Sequence, residues 1–119
     1  MSDQVYWHLQ LAVKDGQLED FRALMKDMVG ATQANEPGAL NYEWSIGDDG
    51  ATVHIYERYA DSAATMTHLA SFGANFADRF MACVDVTGFN VYGAPDDEVR
   101  GALAPFGAVF MDPFGGFAR

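Results

Sequence analysis

Leu40, Tyr42, Trp44 and Ile46 alternate with Asn41, Glu43 and Ser45. After Gly47-Asp48-Asp49-Gly50 the alternation resumes, with Val53, Ile55, Glu57 and Tyr59 set against His54, Tyr56 and Arg58. A period of two belongs to β-strands, and an Asp/Gly-rich turn joins two such strands antiparallel. This hairpin restricts the chain more than any other feature. An isolated hairpin is not stable in water, so the flanking sequence must extend and cover it.

The flanks do both. Val5, Trp7, Leu9, Leu11 and Val13 share one face of a strand, and Tyr6, His8, Gln10 and Ala12 share the other. Past Lys14-Asp15-Gly16-Gln17 the period changes to that of a helix. Leu18, Phe21, Met25 and Met28 form a stripe that Leu24 and Val29 widen. Asp15 or Gly16 is the expected cap, and the helix is expected to finish before Pro37. Beyond the hairpin, Asp61 or Ser62 caps a second helix, expected to break at Ser71-Phe72-Gly73. A further helical stretch carries Phe76, Phe80 and Cys83 on one stripe, and Val86 to Gly93 reads as a fourth strand. The order is β-α-β-β-α-β, an α+β ferredoxin-like arrangement over residues 1–93. Residues 94–119 form a C-terminal extension. Its start is acidic and helical, Gly107 to Met111 suits a fifth strand, and Phe106, Phe110, Phe114 and Phe117 are too many for a solvated tail. The extension is expected to pack on the same domain or on a second copy.

Helices in such a fold cover one face of the sheet. Large apolar and aromatic side chains on both faces of these strands, Trp and Phe among them, predict a homodimer in which a second sheet covers the other face. The net charge of −10, with only seven basic residues, excludes a phosphate backbone or an anionic membrane surface as partner. No apolar run approaches the roughly 20 residues that cross a bilayer. The opening residues lack a basic and apolar leader pattern, and Cys83 is the single cysteine, so the expected compartment is the cytoplasm.

Two residues stand out as candidates for chemistry. Glu57 shares a strand face with Val53, Ile55 and Tyr59, where a carboxylate is costly unless paired. It is a general base or a structural acceptor. His68 lies on the second helix, as an acid/base near neutral pH or as a helix-to-sheet hydrogen bond. His8, Tyr42, Trp44, Tyr56, Tyr59 and Phe76 are candidate pocket residues, able either to pack a core or to hold a flat organic molecule. The three histidines, His8, His54 and His68, are scattered without ligand spacing, and no glycine-rich phosphate loop is present. No metal and no nucleotide or flavin cofactor is therefore expected.

The stretches Glu36 to Trp44 and His54 to Phe76 resemble the antibiotic biosynthesis monooxygenase family of dimeric α/β barrels. The resemblance rests on Glu36-Pro37-Gly38, Tyr42-Glu43, Tyr56-Glu57 and His68-Leu69 with Ser71. The family's usual Trp after Tyr-Glu is Tyr59 here, and its second His after the His-Leu motif is missing. The haem-degrading branch needs a first-strand Asn that this chain lacks, so haem cleavage is not implied. The polyketide-oxidising branch uses an Asn and a Trp where Ile55 and Tyr59 stand. The resemblance implies a cofactor-independent monooxygenase-like protein for a small aromatic or quinol-type substrate. An isomerase or lactone-type enzyme with His68 as base, and a non-enzymatic dimeric binding or stress-response module, stay open beside it.

Overall fold

The computed structural model describes residues 2–119. Five strands form one sheet: β1 (Val5–Val13), β2 (Ala39–Ile46), β3 (Thr52–Tyr59), β4 (Val84–Gly93) and β5 (Val109–Phe110). Four helices accompany them: α1 (Leu18–Asn35), α2 (Ser62–Asn75), α3 (Ala77–Cys83) and α4 (Asp97–Leu103). The sheet order is β2-β3-β1-β4-β5, antiparallel throughout except for the parallel β4–β5 edge. The first four strands with their helices make the ferredoxin-like β-α-β-β-α-β unit. Within one chain the sheet is open and does not close into a barrel.

Local sequence explains most element ends. Asp49 accepts backbone hydrogen bonds from Thr52 and Ala51 and a third from the Thr52 hydroxyl. These bonds shape the β2–β3 turn and hold its carboxyl down at about 2. Asp61 caps α2 by accepting from Ala64 N at 2.8 Å. Asp96 caps α4 by accepting from Val99 N at 2.9 Å. Two expectations change. First, Gln17 rather than Asp15 or Gly16 is the N-cap position of α1, and its side chain makes no cap bond. Gly16 is taken up by the preceding turn, at φ 77°, and Gln17 N donates to Lys14 O. Second, α2 runs through Ser71-Phe72-Gly73. Gly73 faces open space, and one exposed glycine costs a helix about 1 kcal/mol without ending it. The break falls at Phe76, which leaves helical geometry and joins α2 to α3.

Trp7, Leu9, Leu11, Trp44, Ile55 and Phe89 all point to the helix-covered face, so the expectation of Trp and Phe on the open face is corrected. The open face carries Tyr6, Tyr56, Tyr92, His8 and His54 instead. Tyr6 stacks on Tyr92 at 5.4 Å, and His8 meets His54 edge-on at 4.6 Å. Under the helices the core divides in two. One part gathers Leu11, Phe21, Leu24, Val53 and Phe80 beneath α1 and α3. The other gathers Val5, Trp7, Tyr59, Phe89, Val99 and Leu103 beneath α2 and α4. Each fully buried aliphatic side chain contributes about 1.5–3 kcal/mol. Beyond β5, Phe114 is fully exposed and Phe117 largely so, with the Arg119 guanidinium over its ring.

Candidate active site

Three elements deliver ionisable side chains to one buried point. Glu36 is the residue at which α1 ends, its N–H bonded to Thr32 O before Pro37 stops the helix. Gly38 then lets the backbone pass against α2, for a Cβ there would lie 2.6 Å from the Ala64 Cβ. Glu57 projects from β3 and His68 from α2. The imidazole lies between the two carboxylates, with Nδ1 3.0 Å from Glu36 Oε1 and Nε2 3.3 Å from Glu57 Oε1. Glu57 Oε1 also accepts from the Tyr59 hydroxyl at 2.6 Å. The Tyr42 and Tyr59 rings flank the imidazole, with centroids 5.2 and 5.0 Å away.

Burial alone would push the His68 imidazole down. The hydrogen bonds to Glu36 and Glu57, reinforced by their charges, outweigh it and raise His68 to about 9. At neutral pH the ring is an imidazolium bonded on both sides. It is a proton donor and counter-charge, and its base role is closed while both bonds hold. Tyr42 and Tyr59 are pushed well up by burial and by the adjacent carboxylates, so both stay protonated.

His68, Glu57 and Tyr42 line a cavity of about 60 Å³ between the sheet and α1, α2, α3 and α4. Its other walls are apolar: Trp7, Leu9, Ile55, Phe72, Phe89 and Leu103. Met81 and Phe106, both about half-exposed, stand at its solvent end. The volume holds a few waters or a small fragment, so a polycyclic ligand requires these two side chains to move aside.

The remaining sequence candidates lie elsewhere. Tyr59 sits behind Glu57 and touches His68 without lining the cavity. Trp44 lines a separate groove with Phe21, Met25 and Val53. Phe76 packs against the core under α1 and α3. His8 and Tyr56 are on the opposite face of the sheet, register partners of each other. Sequence reading assigned no chemistry to Glu36, although its Glu-Pro-Gly context at a helix end marked it. It also missed Trp7, which read only as strand core. Among the described residues no group of His, Cys, Asp and Glu is arranged to hold a metal ion.

A sheet covered on one face by helices, with a carboxylate–imidazolium–carboxylate cluster facing a small apolar cavity, defines a compact α+β domain built around a small-molecule-sized site. The family model for antibiotic biosynthesis monooxygenases matches residues 5–85, and the chain belongs to that family. MupZ from Pseudomonas fluorescens shares the fold with a TM-score of 0.86 at 24% identity, covering 99% of this chain and 96% of that one, so the likeness takes in α4 and β5. SnoaB, a cofactor-independent oxygenase from Streptomyces nogalater, aligns with a TM-score of 0.66 at 18% identity over 80% of this chain and 96% of its own. Rv0793 from Mycobacterium tuberculosis aligns with a TM-score of 0.67 at 22% identity over 79% and 97%. No curated protein matches the sequence significantly. Among the described residues no helix is long and apolar enough to cross a membrane.

Proposed function

We propose that this protein is a cofactor-independent monooxygenase acting on a small aromatic or quinol-type substrate in the cavity between sheet and helices. One observation carries the reading: the carboxylate of Glu57, backed by His68, faces a cavity whose remaining walls are almost wholly apolar. A dry cavity strengthens electrostatic interactions and protects a reactive anion from water. Glu57 takes a proton from the substrate, and the His68 imidazolium balances the resulting charge. The substrate anion passes one electron to O₂, the radical pair recombines at carbon, and the peroxide takes up a proton. For an activated CH₂ group the peroxide then loses water to leave a carbonyl, so that R₂CH₂ and O₂ become R₂C=O and H₂O. The protein supplies a base and a cavity; the substrate supplies the electrons.

Oxygen uptake with a panel of hydroxylated naphthoquinols and anthrones tests this. The expected result is uptake above the protein-free rate, lowered about 10²-fold or more in Glu57→Gln, the usual scale for one acid/base group. Uptake equal to the blank across the panel refutes it. The neighbouring donor and acceptor, His68 and Glu57, favour a second reading as an isomerase or lactone-type enzyme, since they move protons without oxygen. Substrate conversion under nitrogen would select it.

The functional unit on this reading is a homodimer. The half-buried tyrosines of the open sheet face and the solvent-exposed Phe114 and Phe117 are the surfaces a second copy covers. The reading places the protein in the cytoplasm, where the lone buried Cys83 has no disulfide to form.

A further inference from the structure

Trp7 is 2% exposed and lines the cavity, yet its indole Nε1 has no hydrogen-bond partner among the described residues. A buried N–H left unpaired costs about 1–3 kcal/mol, so such a group calls for an explanation. The ring is gripped from two sides, by Tyr59 at 5.1 Å and by Phe89 edge-on at 5.7 Å. It is not free to swing toward a protein acceptor. Trp7 is also the register partner of Glu57 on the neighbouring strand. Cross-strand partners on one face stand side by side, roughly 5 Å apart at Cβ. The indole that carries the unsatisfied donor and the Glu57 carboxylate therefore line the same small apolar space. Trp44 offers the contrast. Its Nε1 is equally unpartnered, but its register partner is Ile55, and no carboxylate lines the groove beside it.

We infer that the Trp7 indole N–H binds an oxygen of the substrate whose acidic hydrogen faces Glu57, which makes the substrate an enolisable carbonyl compound or a phenol. The inference rests on the site proposed above and specifies what that site recognises. In a ketone, the C–H bond next to the carbonyl breaks and its proton goes to the Glu57 carboxylate. The electron pair forms the C=C bond, and the carbonyl π pair moves onto oxygen. That oxygen gains the negative charge, and Trp7 donates to it there. In a phenol, the hydroxyl proton goes to Glu57, and the same oxygen accepts from Trp7. A pure hydrocarbon satisfies neither group, so the pair selects for oxygen in a cavity that otherwise selects only for apolar bulk.

Phenol and toluene, matched in size, test the inference. The chain has two tryptophans, so indole-¹⁵N labelling gives two N–H resonances, which Trp44→Phe assigns. Saturating phenol is expected to move the Trp7 resonance downfield, and toluene is not. Trp7→Phe is expected to weaken phenol about fivefold or more, the scale of one lost hydrogen bond, while toluene changes less than about twofold. Equal weakening of both probes, or a Trp7 resonance that phenol leaves where toluene leaves it, overturns the inference; the shift is read on the wild-type protein, and Trp44→Phe serves only to assign it. The readout is binding, so a failure of oxygen uptake leaves a positive phenol result standing. A negative phenol result leaves Glu57 its base role and removes only the oxygen-binding donor.

Discussion

Replacing Glu36 with glutamine keeps the shape and an acceptor oxygen at the end of α1 but removes one of the two charges beside His68. In the wild type the imidazole stands at about 9, against about 6.5 in an unfolded chain. The folded value is the higher one, so protonation stabilises the fold. The contribution is complete below about pH 6.5 and is lost as pH rises through about 9. A shift of about 2.5 units corresponds to about 3 kcal/mol at 1.36 kcal/mol per unit. His68 and Glu36 are both 7% exposed in their side chains, so solvent screens the pair little. Exchanging a charge-assisted hydrogen bond for a neutral one at this 3.0 Å contact forfeits about 1–2 kcal/mol, or roughly one pKa unit. Glu36→Gln should therefore bring His68 down to about 8 and shrink its pH-dependent stabilisation to about 2 kcal/mol. Imidazole NMR resolves the three histidines and follows His68 directly, and urea unfolding at about pH 6 and about pH 10 reads the linked stability. A wild-type His68 that titrates near its unfolded value, or one that Glu36→Gln leaves unmoved, would refute the picture of an imidazolium held between two carboxylates.

Three further outcomes follow from the geometry. Gly93→Ala should destabilise the fold by about 3 kcal/mol or more, because Gly93 has φ 85° and a Cβ there would meet Gln4 O at 2.2 Å; a melting temperature within about two degrees of wild type would contradict it. Asp61→Ala should cost about 1 kcal/mol in urea unfolding through loss of the α2 cap, with Asp61→Asn retaining most of it; equal losses would mean that the cap bond is not the cause. Deleting residues 112–119 removes the exposed Phe114 and Phe117 together with the exposed Arg100–Asp112 ion pair. The deletion should therefore change single-chain stability by less than about 1 kcal/mol and weaken self-association in sedimentation, and an unaltered association constant would show that the tail covers no second copy.

The order of elements could be read from the sequence because each rests on local physics. The period of two in Leu40 to Tyr59 and Val5 to Val13, the Asp49 turn and the Asp61 cap act within a few residues of chain. The resemblance to the family was also carried by short stretches such as Glu36-Pro37-Gly38 and His68-Leu69. Alternation shows which residues share a face of a strand, but not which face the helices cover. Both faces here carry aromatic rings, and the covered side follows from the crossover of the chain over the sheet. For that reason His8 and Tyr56 could be grouped with the pocket although they lie behind it, while Trp7 passed as ordinary core. The charge state of His68 was still further from reach. Its two partners, Glu36 and Glu57, come from the end of α1 and the middle of β3. A lone imidazole buried in the core is neutral, whereas one held between two carboxylates is a cation. Only the packing of α2 against the sheet decides between them, because the energy that sets the proton depends on distances that exist once those three elements meet.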